Sequence, residues 1–134
     1  MQEQKHDDST TVTRGINIHV EPRYNPKESN PTANVYLYSY TITIKNDGKD
    51  VVQLMSRHWI ITDGFNEVRH VRGPGVVGEQ PVLNPGESFT YTSFCPLPTP
   101  TGTMKGSFQM RGSDSKNFDA EIQEFKLFHQ TLVN

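Results

Sequence analysis

Between residues 35 and 46, Tyr36, Tyr38, Tyr40, Ile42 and Ile44 occupy every second position, with Ser39, Thr41 and Thr43 between them. A period of two places the aromatic and β-branched residues on one face of an extended strand and the hydroxyls on the other. One such strand cannot hide its apolar face alone and needs a sheet and a second layer. The rest of the chain offers both. Ile16, Ile18 and Val20 alternate with polar residues, as do Phe89, Tyr91 and Ser93, and again Met104, Gly106, Phe108 and Met110. In residues 51–62 the apolar phase set by Val52 and Leu54 is reversed by Trp59 and Ile61, which predicts a β-bulge near Ser56 and Arg57. A similar one-residue slip separates Phe118, Ala120 and Ile122 from Phe125 and Leu127.

The connections carry turn chemistry. Asn46-Asp47-Gly48-Lys49 and Asn84-Pro85-Gly86-Glu87 have the residues that tight turns require. Asp63-Gly64 predicts a two-residue hairpin, with residues 65–72 returning antiparallel. Pro22, Pro26 and Pro31 predict a loop over residues 21–33, and Pro96, Pro98 and Pro100 a second one. No segment shows a persuasive helical period. About seven antiparallel strands in sequence predict an all-β domain, an immunoglobulin/fibronectin type III-like antiparallel β-sandwich, with a small barrel as the alternative.

The domain spans residues 15–129. Residues 1–14 are polar and without periodicity and read as a disordered N-terminal tail, and residues 130–134 read as a C-terminal tail. Only 33% of the 134 residues are hydrophobic, so seven Phe, five Tyr and one Trp must supply much of the core. A net charge of −2, with no basic stripe, argues against nucleic acid as a partner. The N-terminus lacks the apolar core of a signal peptide, and no apolar run approaches the roughly 18 residues of a membrane span. The expected location is therefore cytoplasmic, without membrane insertion. Cys95 is the one cysteine, so no internal disulfide can form, and it reads as an incidental thiol.

Residues 71–81 read VRGPGVVGEQP and contain Gly73, Gly75 and Gly78 in the spacing G-x-G-x-x-G. A dinucleotide site with this spacing needs a helix opening at the third glycine. Pro81, Pro85 and Gly86 leave no room for one. Two readings of the loop stay open. Its amides could form an anion-binding nest, with Arg69, His70 and Arg72 adding charge. Alternatively, the glycines supply positive φ or close backbone packing at a corner. Pro74 removes an N–H from the middle of any nest.

Ser56-Arg57-His58-Trp59 is the second candidate. Ser56 and His58 are two apart and can share a face, but no nucleophile elbow surrounds the serine and no acid is paired with the histidine. The plainer reading packs Trp59 in the core and leaves Arg57 and His58 to hydrogen-bond around the strand. His6, His19, His58, His70 and His129 lie in separate segments without metal-ligand spacing, so no metal is expected, and His6-Asp7-Asp8 suggests at most a weak surface site. Asp63, Glu67, Glu79 and Glu87 lack the spacing of a metal-holding hydrolase cluster.

The segments YTITIKN (40–46), VQLMSRHWIITD (52–63), VRGPGVVGEQPVLNPGESFTYTS (71–93) and TPTGTMKGSFQM (99–110) together resemble the bacterial ApaG proteins, over roughly residues 15–128. Two departures stand out. Phe94-Cys95 replaces small residues that commonly follow Y-T-S, and Gln123 stands where the family usually has proline. The resemblance implies a fibronectin type III-like sandwich and an association with cobalt and magnesium resistance or efflux. It also implies an interaction module, since related domains are attached to eukaryotic F-box and polymerase-interacting proteins. The family's glycine motif, proposed to bind pyrophosphate, maps onto Gly73, Gly75 and Gly78.

The expectation is a non-enzymatic binding module without a cofactor, contacting another protein through a surface that includes Arg57 and His58. A sheet edge could also pair with a second copy as a homodimer. The alternative is a nucleotide or pyrophosphate sensor using Gly73, Gly75, Gly78 and Arg72.

Overall fold

Alternating apolar residues sort the chain into two layers. The computed structural model describes residues 6–129 and contains nine strands among them. One sheet has the order β1 (Ser9–Thr13), β2 (Ile16–Tyr24), β3 (Tyr36–Asn46), β7 (Ser88–Leu97). The other has the order β5 (Val68–Pro74), β4 (Val52–Asp63), β8 (Gly102–Gly112), β9 (Asn117–Leu127), with the short β6 (Val82–Leu83) pairing the start of β4. All the ladders are antiparallel. The sheets face each other as the expected immunoglobulin/fibronectin type III-like sandwich, and no ladder joins them into the alternative barrel.

The core sits between the inward faces. Tyr38, Tyr40, Ile42 and Ile44 of β3 are buried opposite Trp59, Phe108, Met110 and Phe125. Trp59 is central, edge-on to Tyr40, Phe108 and Phe125 at ring-centroid distances of 5.4, 6.2 and 6.0 Å. Asn46 is buried because its side chain ties three segments together. Its amide donates to the carbonyls of Asp50 (2.8 Å) and Leu83 (2.9 Å), and its Oδ1 accepts from the N–H of Gly48 (2.9 Å).

Both phase slips are bulges. The β4–β8 register shifts between Leu54 and Ser56, and the β8–β9 register shifts between Met104 and Gly106. Four boundaries need correction. Within the tail read as disordered, Ser9–Thr13 form β1, because threonine hydroxyls and ladder bonds hold a segment that has no apolar period. Residues 130–134 lie outside the described residues. Pro22 falls inside β2, past the end of β1, whose pairing stops at Val20, so two short 3₁₀ turns at Pro26–Glu28 and Pro31–Ala33 take only the rest of the predicted loop. The hairpin after Asp63 is longer than two residues. Asp63 Oδ1 accepts from the N–H groups of Phe65 and Glu67, and Asn66 takes the left-handed conformation at φ 64°. Finally, β7 runs on through Pro96 to Leu97.

The two long sides of the sandwich end differently. On the β1/β9 side, the outer edge of β9 is covered. The N–H groups of Glu121, Gln123 and Lys126 donate to Thr13 Oγ1 (3.1 Å), Thr11 Oγ1 (3.0 Å) and Asp7 Oδ2 (2.8 Å). On the other side, among the described residues, β5 pairs only with β4 and β7 only with β3, so both strands present a free edge.

Candidate functional site

The glycine segment joins β5 to β6 by a tight hairpin at the open side. Val76 and Glu79 exchange both backbone hydrogen bonds (2.8 and 2.9 Å) across Val77 and Gly78, which have φ values of 44° and 81°. Positive φ at both central residues makes a type I′-like turn. Val76 is buried, and Val77 is 56% exposed. Gly75 sets the entry. Its φ is +60°, its N–H donates to the carbonyl of Met55 (2.9 Å), and a Cβ there would run into the Glu79 carbonyl. Gly73 is the last residue but one of β5 and pairs with Arg57.

Arg57 lies in step with Trp59 and Ile61 on the inward face of β4. Its guanidinium covers Gly73, about 3.0 Å from where a Cβ would sit, and donates to the carbonyls of Pro74 and Gly75 (both 3.0 Å). A side chain at position 73 would displace it. The amides of Gly75, Val76 and Glu79 are engaged inside the fold, and the carbonyls of Pro74 and Gly75 face a cation.

His58, the next residue, points to the opposite face. Its Nε2 is 2.9 Å from His70 Nδ1, with the rings stacked at 5.1 Å. Arg72 pairs with His58 across the ladder. Burial, then the neighbouring Arg72 and His70, hold the His58 imidazolium below its usual pKa, with Asp119 opposing. The structure therefore splits the Arg57–His58 pair. Arg57 joins Gly73 and Gly75 at the mouth between the sheets, and His58 joins His70 and Arg72 on the outer face. Ser56 donates to Gln109 Oε1 (2.8 Å), so it forms no dyad with His58.

Sequence reasoning missed the cleft along the open side. Trp59, Ile61 and Met104 line it from one sheet, Cys95 and Pro96 from the other, and Phe94 stands at its rim. Among the described residues, one hydrogen-bonded side chain crosses it. Arg69 of β5 donates to the Pro96 carbonyl of β7 (2.8 Å) and lies 3.6 Å from Cys95 Sγ. Burial pushes the Cys95 thiol up, against the pull of Arg69, so the sulfur stays a protonated packing group. Phe65, Val68, Val71 and Phe94 are exposed along this side. The inward period of β4 and β7 hinted at the cleft, but the placing of the β5 and β7 edges on either side of it is not a sequence property.

One further cluster lies elsewhere. Asp8, His19 and Glu21 bring ligand atoms within 4.8 Å of one another. However, both Asp8 oxygens are held by the Arg23 guanidinium, and His19 Nδ1 is bound to Thr10 Oγ1 (2.7 Å). A cation would have to displace the guanidinium.

A sequence model of the ApaG domain family matches residues 26–112. The chain is 56% identical over 119 residues to the protein ApaG of Dechloromonas aromatica, covering 89% of this chain and 94% of that protein. It is 55% identical over 115 residues to the ApaG of a Methylobacterium species, covering 86% and 88%. Among solved structures, the ApaA protein of Bordetella pertussis superposes with a TM-score of 0.82 at 47% identity, covering 92% of this chain and 95% of that one. None of these names indicates a catalytic activity.

Proposed function

The chain belongs to the ApaG domain family, and from that premise we propose that it is a non-enzymatic binding module that acts by contacting another protein. The observation that carries this reading is the open side. Phe65, Val68 and Phe94 are 72%, 55% and 56% exposed there, beside Arg69 and Arg72, while the opposite side is closed by its own hydroxyls. Exposed apolar residues gathered at one place mark contact sites more often than scattered ones do. The contact surface takes in Arg57 at the cleft mouth and His58 with its partner His70 on the outer face. The association with cobalt and magnesium resistance or efflux belongs to the same proposal. No helix among the described residues is long and apolar enough to cross a membrane, and the module would act on cation levels through its cytoplasmic partner.

The test is quantitative affinity capture from the cells the chain comes from, comparing the native protein with a Phe94→Ser, His58→Ala variant. A partner held by the native protein and lost from the folded variant supports the reading. Equal capture by both proteins, or no specific partner at native abundance, removes it.

The second reading, a nucleotide or pyrophosphate sensor at Gly73, Gly75, Gly78 and Arg72, draws support from the turn tip. The amides of Val77 and Gly78 have no hydrogen-bond partner among the described residues. Against it stand the three engaged amides of the same loop. An amide NMR titration with ATP and pyrophosphate, each with and without magnesium, separates the readings. Saturable shifts confined to residues 73–79 would favour the sensor.

A further inference from the structure

The free edge of β5 carries a more specific message, which rests on the protein-contact reading above. β5 reads VRHVRGP and pairs along its whole length with β4 on one side and, among the described residues, with no strand on the other. Every residue from Val68 to Arg72 is exposed. The strand holds two arginines and a histidine and no acid, in a chain whose net charge is −2. The positive groups lie on both faces of the edge. Arg69 reaches inward across the cleft to the Pro96 carbonyl, and Arg72 lies outward beside His58. Val71 sits between them at the cleft.

We propose that β5 is a docking edge for an extended, acidic segment of a partner protein, which adds to the sheet as a further antiparallel or parallel strand. Backbone groups of the free edge would supply the hydrogen bonds, and alternate side chains would supply the choice of partner. A strand laid against β5 places its residues opposite Arg69 and Arg72 on the two faces of the sheet, and carboxylates satisfy both. An apolar residue between them reaches Val71 and the cleft floor at Ile61 and Trp59. The same charges disfavour a second copy of this chain as the occupant. Self-pairing of β5 would bring its own arginines and histidine together, and like charges across a ladder are destabilising. The closed β9 edge shows that this fold can cover an edge with threonines, and among the described residues no hydroxyl covers β5 in this way.

The experiment is selection of random twelve-residue peptides displayed on phage against the intact protein. The best binder is then synthesised, titrated into ¹⁵N-labelled protein, and measured again with Arg72→Glu and Arg69→Glu variants. Arg72 makes no side-chain hydrogen bond among the described residues, so its variant tests charge without removing an internal contact. Enrichment of Asp and Glu around an apolar residue is expected, with amide shifts along residues 68–73. Binding should weaken roughly tenfold for each charge reversal, and more steeply at low salt. Enrichment of neutral or basic peptides, or undiminished binding by Arg72→Glu, would overturn the proposal. Shifts mapped to another strand would overturn it while leaving the protein-contact reading intact. A concentration-dependent dimer with β5 protected from exchange would make a second copy the occupant instead. Failure of both this selection and the cellular capture would remove the protein-contact reading itself.

Discussion

The two sides of the sandwich solve the same problem differently. Each has an edge strand whose outer N–H and C=O groups need partners. On the β9 side, Thr11, Thr13 and Asp7 from the N-terminal segment accept three of those N–H groups. On the β5/β7 side, Arg69 reaches across the cleft to the Pro96 carbonyl, and the glycine hairpin props the end of β5. One side is finished internally, and the other leaves exposed aromatic, aliphatic and basic groups around a cleft. In a chain with few apolar residues, that difference marks where binding is to be sought.

The largest expected effect breaks the open side at its hinge. Gly75→Val adds a Cβ against the Glu79 carbonyl at a φ of +60° and should cost about 3 kcal/mol, read by chemical denaturation. A folded variant that had merely lost pyrophosphate binding would instead restore the sensor reading. The closed side is probed by Thr11→Val with Thr13→Val, which leaves the Gln123 and Glu121 amides without their acceptors. A loss of about 2 kcal/mol is expected, together with a rising tendency to associate, seen by light scattering.

Val77→Asn should do the opposite. A β-branched residue at φ 44° is strained, and Asn-Gly is the preferred pair for this turn, so a gain of about 1 kcal/mol is expected on thermal melting.

Lowered histidine pKa values give a smaller, pH-dependent effect. Burial lowers the pKa of His129, which stacks on Tyr24 at 3.9 Å, and burial with neighbouring charge lowers that of His58. The unfolded chain then takes up protons more readily than the folded one. Stability is therefore full above about pH 6.5 and declines as pH falls below it. Melting at pH 7.5 and 5.0 should show this slope, and His129→Phe should flatten it. The smallest effect is Phe94→Ser, whose stability should stay within about 0.5 kcal/mol of the native protein while partner binding is lost.

Much of the fold was legible in the sequence because a period of two survives translation into structure. The alternating residues of β3 from Tyr38 to Ile44 are buried as a set, and the phase reversals at Trp59 and Phe125 mark real bulges. The N-terminal strand was not legible, because Thr11 and Thr13 act through hydroxyls aimed at a strand more than 100 residues later. Site residues were legible as types but not as groupings. Arg57 and His58 are adjacent in sequence and face opposite ways, while Arg57 and Gly73 are distant in sequence and in contact. Nor could alternation reveal that β5 and β7 end side by side with a cleft between them.

The most direct test places a photo-crosslinking amino acid at position 94, on the open side, and separately at position 123, on the closed side, in cells. Discrete adducts with a partner protein from position 94 and none from position 123 are expected. Equal labelling at both positions, or adducts from position 123 alone, would contradict the assignment of binding to the open side.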